Sequence, residues 1–178
     1  MQRIQAINPT EGKAKELLDG VKKAMGSTPN LFTTFANAPA ALEAYLNFNT
    51  SLAGGVLDKK LREQVAVTVA GYNGCNYCAS AHLFLGGKVG VDRTELVANS
   101  KGLSADSKTQ AAIDFARVLL EKRGKVSDID VAAVRAAGFT DEETIEILAH
   151  VALNTFTNYF NETALTVIDF PAVDLKTL

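Results

Sequence analysis

The chain has almost no cysteine, little proline and no long apolar run, and each shortage excludes a class of protein. Two cysteines in 178 residues are too few for a disulfide-stapled secreted domain, which carries more of them, spread along its length. Four prolines and 13 glycines exclude collagen-like and linker-like material. Nothing approaches the ~20 consecutive apolar residues that span a bilayer. The stretch Val65 to Ala70 is far too short, and Met1 to Gly20 lacks the apolar run of a signal peptide. A cytoplasmic protein with no membrane partner is therefore expected. An excess of positive charge is missing too: 18 Lys plus Arg against 20 Asp plus Glu leave a net charge of −2. Without a positive field, nucleic acid is not an expected partner. No segment alternates with period two between turn dipeptides, so no strand is predicted.

What is present is enough apolar material for a core. Hydrophobic residues make up 47% of the chain and charged residues 21%, which offsets chain entropy and fits one domain over residues 1–178. The periodicity is helical. Ala14, Leu17, Leu18, Val21, Ala24 and Met25 recur at three and four residues, as on one helix face. Asn8-Pro9 reads as the start of that helix, and Gly26 with Pro29 as its end. Further starts are predicted at Asp58, at Asp92 with Glu95, at Ser104 with Asp106, at Ser127 with Asp130, and at Thr140 with Glu143. Gly54-Gly55, Gly86-Gly87, Gly124 and Gly138 fall where helices would stop. The expected fold is all-α, with about seven or eight helices. A shift of 83 residues pairs Gly55 with Gly138, Glu63 with Glu146 and Cys78 with Asn161. Either a duplicated helical unit or two unrelated amphipathic helices would produce it.

The stretch Glu63 to His82 carries the chemistry. Cys75 and Cys78 are three apart and His82 is four further on, so on a helix all three share a face. With Asn73-Gly74 as a helix start, Cys75 would lie in the first turn, where the helix dipole stabilises a thiolate. A dithiol beside an imidazole can run a redox cycle in which one thiolate attacks and the other closes a disulfide. Glu63, among Leu61, Val65, Ala66, Val67 and Val69, would be partly desolvated and suited to accept a proton. The same residues have a metal reading: Cys75, Cys78 and His82 as three zinc ligands, Glu63 as a fourth. Tyr77 reads as a packing residue with a wet hydroxyl. One other pattern stands out. Glu146, His150, Asn154, Asn158 and Asn161 form a polar line on an otherwise apolar helix. It is either a solvated outer face or the border of the dithiol pocket or of a subunit interface.

Glu63-x11-Cys75-x2-Cys78-x3-His82 resembles the active-site motif of the alkylhydroperoxidase AhpD-like group, within the all-helical carboxymuconolactone decarboxylase superfamily. The segment of about 57–96 resembles that family's core, and Phe156-Thr157-Asn158-Tyr159-Phe160-Asn161 with Asp169-Phe170-Pro171 resembles its peroxidase-related branch. The resemblance implies a thiol peroxidase, with Cys78 attacking the hydroperoxide, Cys75 resolving, and Glu63 with His82 as proton relay. Those roles run against the helix-dipole argument, which makes Cys75 the more acidic thiol. Asn76 and Tyr77 separate the cysteines, whereas well-known members carry a histidine beside the second one. The implied partners are a hydroperoxide substrate, a dithiol reductant protein and further copies of the chain in a trimer or hexamer. No metal or organic cofactor is required. A non-redox decarboxylase-like enzyme and a non-catalytic helical assembly protein are the rival readings.

Overall fold

Val65, Ala66, Val67, Thr68, Val69 and Ala70 are consecutive, helical and all buried. A helix buried on every side must be enclosed by other helices, and this one is. In the computed structural model, which describes residues 1–178, α4 (Lys59–Asn73) is the central rod. It packs against α5 (Asn76–Lys88), α6 (Arg93–Ser100), α7 (Ser107–Glu121) and α9 (Asp141–Ala164). The remaining helices are α1 (Gly12–Met25), α2 (Asn30–Phe35), α3 (Pro39–Ala53) and α8 (Asp128–Ala136). There is no strand, and no helix is long and apolar enough to cross a membrane.

Two apolar clusters flank α4. One joins Ala14, Leu18, Val21, Leu31, Phe32, Phe35 and Leu42 to Ala70 and to both cysteines. The other joins Val65 and Val69 to Ala112, Phe115, Leu119, Val134, Ile147 and Val151. The dithiol therefore belongs to the first core and not to the surface. Close approach between helices is bought by small residues: a Cβ on Gly71 would collide with the Ser100 carbonyl oxygen, so α4 and α6 meet backbone to backbone.

Most helix starts lie where side-chain chemistry puts them. Asp58 and Asp92 cap α4 and α6, and Ser127–Asp130 and Thr140–Glu143 form reciprocal capping boxes on α8 and α9. Three expectations are corrected. The α1 helix begins at Gly12 instead of after Asn8-Pro9, because the Ile7 amide donates to the Thr33 carbonyl (3.0 Å) and ties the entering strand of chain to α2. The α7 start is capped by Asp106, since the Ser104 hydroxyl donates to Glu95 instead. Gly86 and Gly87 lie inside α5, where Gly86 admits the Leu96 side chain. The about seven or eight helices expected are met by eight of these; the ninth, the short α2, has no side-chain cap to announce it. The repeat breaks as well: α9 runs unbroken for 24 residues where α4 and α5 are separated by a turn.

After α9 the chain doubles back across the start of α5. Asp169 accepts hydrogen bonds from the Asn30 amide (2.7 Å) and the Tyr77 hydroxyl (2.9 Å). The Val173 amide donates to Ser80 Oγ and the Leu175 amide to Asn76 Oδ1, each at 3.0 Å. Both residues between the cysteines, Asn76 and Tyr77, are thus held by the C-terminal segment. Tyr77 is buried, and its hydroxyl also accepts from the Leu31 amide; the wet hydroxyl expected for it is absent because this segment covers it.

Candidate active site

The turn between α4 and α5 sets the dithiol. Asn73 ends α4 and does not start the next helix; Gly74 follows in the left-handed region (φ 71°), and Cys75 is the N-cap of α5. Glycine suits that conformation because it has no Cβ. Cys75 Sγ accepts from the Cys78 amide at 3.3 Å, doing the work of a Ser or Asn cap. The two sulfurs are 2.6 Å apart, both thiols are free, and both are buried. Three-residue spacing across a helix start brings them together without help from any other element.

Their acidities diverge, and in the order opposite to the helix-terminus argument. The hydrogen bond that Cys75 donates to Cys78, together with burial, pushes the Cys75 thiol well above its ordinary value. Burial opposes ionisation of Cys78 too. The hydrogen bonds from Cys75 and Asn161 and the charge of His82 outweigh it, and Cys78 is held below the ordinary thiol value. A donor thiol stabilises the neighbouring thiolate, and the geometry makes Cys75 the donor.

Glu63 on α4 and His82 on α5 meet where the two helices pack. His82 Nδ1 lies 2.8 Å from Glu63 Oε2, with about a fifth of each side chain exposed. Burial alone would lower the His82 pKa. The Glu63 carboxylate, with a smaller contribution from the Asn154 amide, overrides it and raises the value. All four residues singled out in the sequence are therefore brought together. No group of three or more His, Cys, Asp or Glu side chains converges as the zinc reading would need.

The polar line of α9 faces inward, which removes the solvated-face alternative. His150, Asn154, Asn158 and Asn161 are buried, with relative exposures of 6, 6, 0 and 2%. Asn161 Nδ2 donates to Cys78 Sγ (3.3 Å), and Asn158 Oδ1 accepts from Asn73 Nδ2 (3.0 Å). Glu146 departs from the line; its carboxylate accepts from the Val56 and Leu57 amides, both at 2.9 Å. Asn158 Nδ2 and Asn161 Oδ1 remain buried without a partner. Such orphans cost about 1–3 kcal/mol each.

Two cavities meet at the Glu63–His82 pair. One, of about 200 Å³, reaches Cys78 and Asn161 and is walled mainly by apolar side chains, among them Leu31, Phe32, Leu85 and Phe170. The other, of about 280 Å³, lies on the far side of the pair and is lined by Lys59, Arg62, His150 and Asn154. Tyr45 and Asn49 border both. Neither the second cavity nor its basic lining was legible in the sequence, because Lys59 and Arg62 read as ordinary first-turn helix residues.

The chain is an all-helical bundle with a buried Cys-x-x-Cys at a helix start, backed by Glu63 from the preceding helix and His82 from the cysteine helix itself. Residues 39–121 match the carboxymuconolactone decarboxylase family. Solved structures agree over nearly the whole chain. A peroxidase-related protein from Silicibacter sp. TM1040 superposes with a TM-score of 0.80 at 22% identity, covering 92% of this chain and 88% of its own. A peroxidase-related protein with an alkylhydroperoxidase AhpD core, from Ralstonia eutropha JMP134, gives 0.78 at 25% identity and 92% coverage of both. The debrominase Bmp8, solved with 2,3,4-tribromopyrrole, gives 0.79 at 17% identity, covering 98% and 94%. No curated protein matches. The central segment of the chain is thus similar to the carboxymuconolactone decarboxylase family, and the whole chain shares the fold of these AhpD-core structures.

Proposed function

We propose that the protein is a thiol-dependent peroxidase, a dithiol oxidoreductase that cycles Cys75 and Cys78 between thiols and an intrachain disulfide. The observation that carries this reading is the pair of buried sulfurs 2.6 Å apart with their acidities driven in opposite directions. One sulfur is prepared to attack and the other to remain protonated until it is needed.

The Cys78 thiolate attacks the terminal oxygen of a hydroperoxide. The O–O bond breaks, Cys78 becomes a sulfenic acid, and the departing alkoxide takes a proton from His82 and leaves as an alcohol. Glu63 holds the His82 ring and favours its protonated form, so the acid is present when the alkoxide forms. Asn161 Nδ2 steadies the thiolate before attack, and the unpartnered Asn161 Oδ1 offers an acceptor to the sulfenic hydroxyl afterwards. Cys75 then gives up its proton, attacks Cys78 Sγ and closes the disulfide, with loss of water. Two electrons have moved from the thiols to the peroxide, and an external dithiol protein returns them. Neither cysteine lies on the surface, and the smaller cavity is what leads to Cys78.

Trapping the first intermediate tests the reading. In Cys75→Ser, one turnover with hydroperoxide leaves a sulfenic acid at Cys78 that a dimedone-type probe labels. Cys78→Ser consumes no peroxide. Label at Cys75 in the Cys78→Ser protein would reverse the roles, and no label in either protein would end the peroxidase reading.

A further inference from the structure

The larger cavity has a charge composition that the redox chemistry does not explain. Lys59 and Arg62 both line it, and neither is paired with a carboxylate. Arg62 Nη1 donates only to the Leu52 carbonyl, at 3.1 Å. The nearby acidic groups are already engaged. Glu63 bonds His82, and both Glu146 oxygens accept backbone amides of the α3–α4 connection. His150 forms part of the same wall. It is 6% exposed, and its Nε2 is buried with no partner. Burial and the charge of Arg62 hold His150 neutral, with its pKa at about 4, so it adds a polar ring without neutralising the cations. The cavity is thus a concave chamber with two uncompensated positive charges, set against the Glu63–His82 pair.

We propose that this chamber is a carboxylate-binding subsite: Arg62 and Lys59 hold the carboxylate of a small organic substrate whose reactive end passes the Glu63–His82 pair to Cys78. The guanidinium fork matches the two oxygens of a carboxylate, and a lysine ammonium adds a point charge without demanding geometry. The substrate part of this assignment rests on the dithiol reading; the binding itself does not. Tyr45, Asn49, Glu63 and His82 border both cavities, so a molecule anchored at Arg62 extends along that shared wall toward the sulfur. Its apolar remainder would lie among Leu31, Phe32, Leu85 and Phe170. The substrate class is therefore a hydroperoxide that also bears a carboxylate.

Calorimetric titration of the full chain with benzoate, without peroxide, tests the subsite directly. Saturable binding of one benzoate per chain is expected, weakened at high salt. Arg62→Gln reduces affinity at least about tenfold, the loss expected of a charge-assisted hydrogen bond, and Arg62→Lys restores part of it. Lys59→Gln, at an exposed first-turn position that leaves the fold intact, reduces it about two- to threefold. Absence of benzoate binding, or binding that neither substitution alters, overturns the subsite. Tighter binding of inorganic phosphate at the same place overturns the assignment to a carboxylate. The second measurement compares kcat/KM for cumene hydroperoxide and its 4-carboxy derivative. The wild-type protein prefers the carboxylated substrate, and Arg62→Gln reduces that preference at least about tenfold. Equal rates for both substrates in the wild-type protein refute the substrate role while leaving the dithiol reading intact. Thiols inert to both hydroperoxides, with Arg62-dependent benzoate binding retained, refute the dithiol reading and leave the subsite standing.

Discussion

Asn161→Asp replaces a hydrogen-bond donor to Cys78 with a carboxylate of the same shape. The wild-type amide nitrogen lies 3.3 Å from the sulfur, and the residue is 2% exposed. A hydrogen bond to a charged group contributes about 1.5–3 kcal/mol, and one pKa unit corresponds to about 1.4 kcal/mol. A contact of this length to sulfur belongs at the lower end, so losing it alone raises the Cys78 pKa by about one unit. The Asn161→Ala protein reports that loss in isolation. In Asn161→Asp the new negative charge adds Coulombic repulsion, and the shift is larger. The wild-type thiolate persists below the ordinary thiol range, so alkylation by iodoacetamide begins at lower pH than for a free cysteine; each substitution moves the midpoint upward. The assay is the rate of alkylation of the Cys78 peptide against pH, read by mass spectrometry, with thermal melting to confirm folding. A midpoint unmoved in a folded Asn161→Asp protein would refute the claim that α9 sets the acidity of Cys78.

Glu63→Gln keeps the shape of the His82 partner but removes its charge; disulfide formation slows by at least ~10-fold at neutral pH, the low end for a positioned acid–base group, by stopped-flow loss of thiol. His82→Asn slows it too, and the double variant loses less than the product of the two factors because the residues act as one unit. His150 titrates at about 4 in the folded chain against an ordinary value of 6.5. Folded protein therefore resists its protonation, and about 3 kcal/mol of stability present above pH 6.5 is lost as the pH falls toward 4. Urea unfolding across that range shows the loss in the wild-type protein and its removal in His150→Gln. Gly71→Ala drives a methyl group into the Ser100 carbonyl, separates α4 from α6, and lowers the melting temperature by an amount matching ~2 kcal/mol or more.

The helices were legible wherever a local rule governed them. Asp58, Ser127 and Thr140 announce α4, α8 and α9 because capping is decided within four residues. Asn8-Pro9 misled because a long-range hydrogen bond, Ile7 to Thr33, took over the segment. Helix geometry puts Cys75, Cys78 and His82 on one face, and Glu63 joined them in the sequence through its apolar neighbours and the resemblance to the AhpD-like motif. The order of thiol acidity was not legible, because it depends on which sulfur donates and on Asn161, 83 residues away in sequence. The inward turn of His150, Asn154, Asn158 and Asn161 was open in the sequence for the same reason. A polar stripe on an apolar helix specifies a face, and only packing against α4 and α5 says what that face meets. Lys59 and Arg62 carried no signal at all until the cavity between α3, α4 and α9 placed them around one space.

Free thiols counted before and after one equivalent of organic hydroperoxide test the central claim most directly, with the peptide holding Cys75 and Cys78 weighed afterwards. Loss of two thiols per chain, a mass decrease of two hydrogens within that one peptide and no crosslinked dimer is the predicted result. Thiols that stay free in the presence of the oxidant, or that are lost only into intermolecular disulfides, would contradict it.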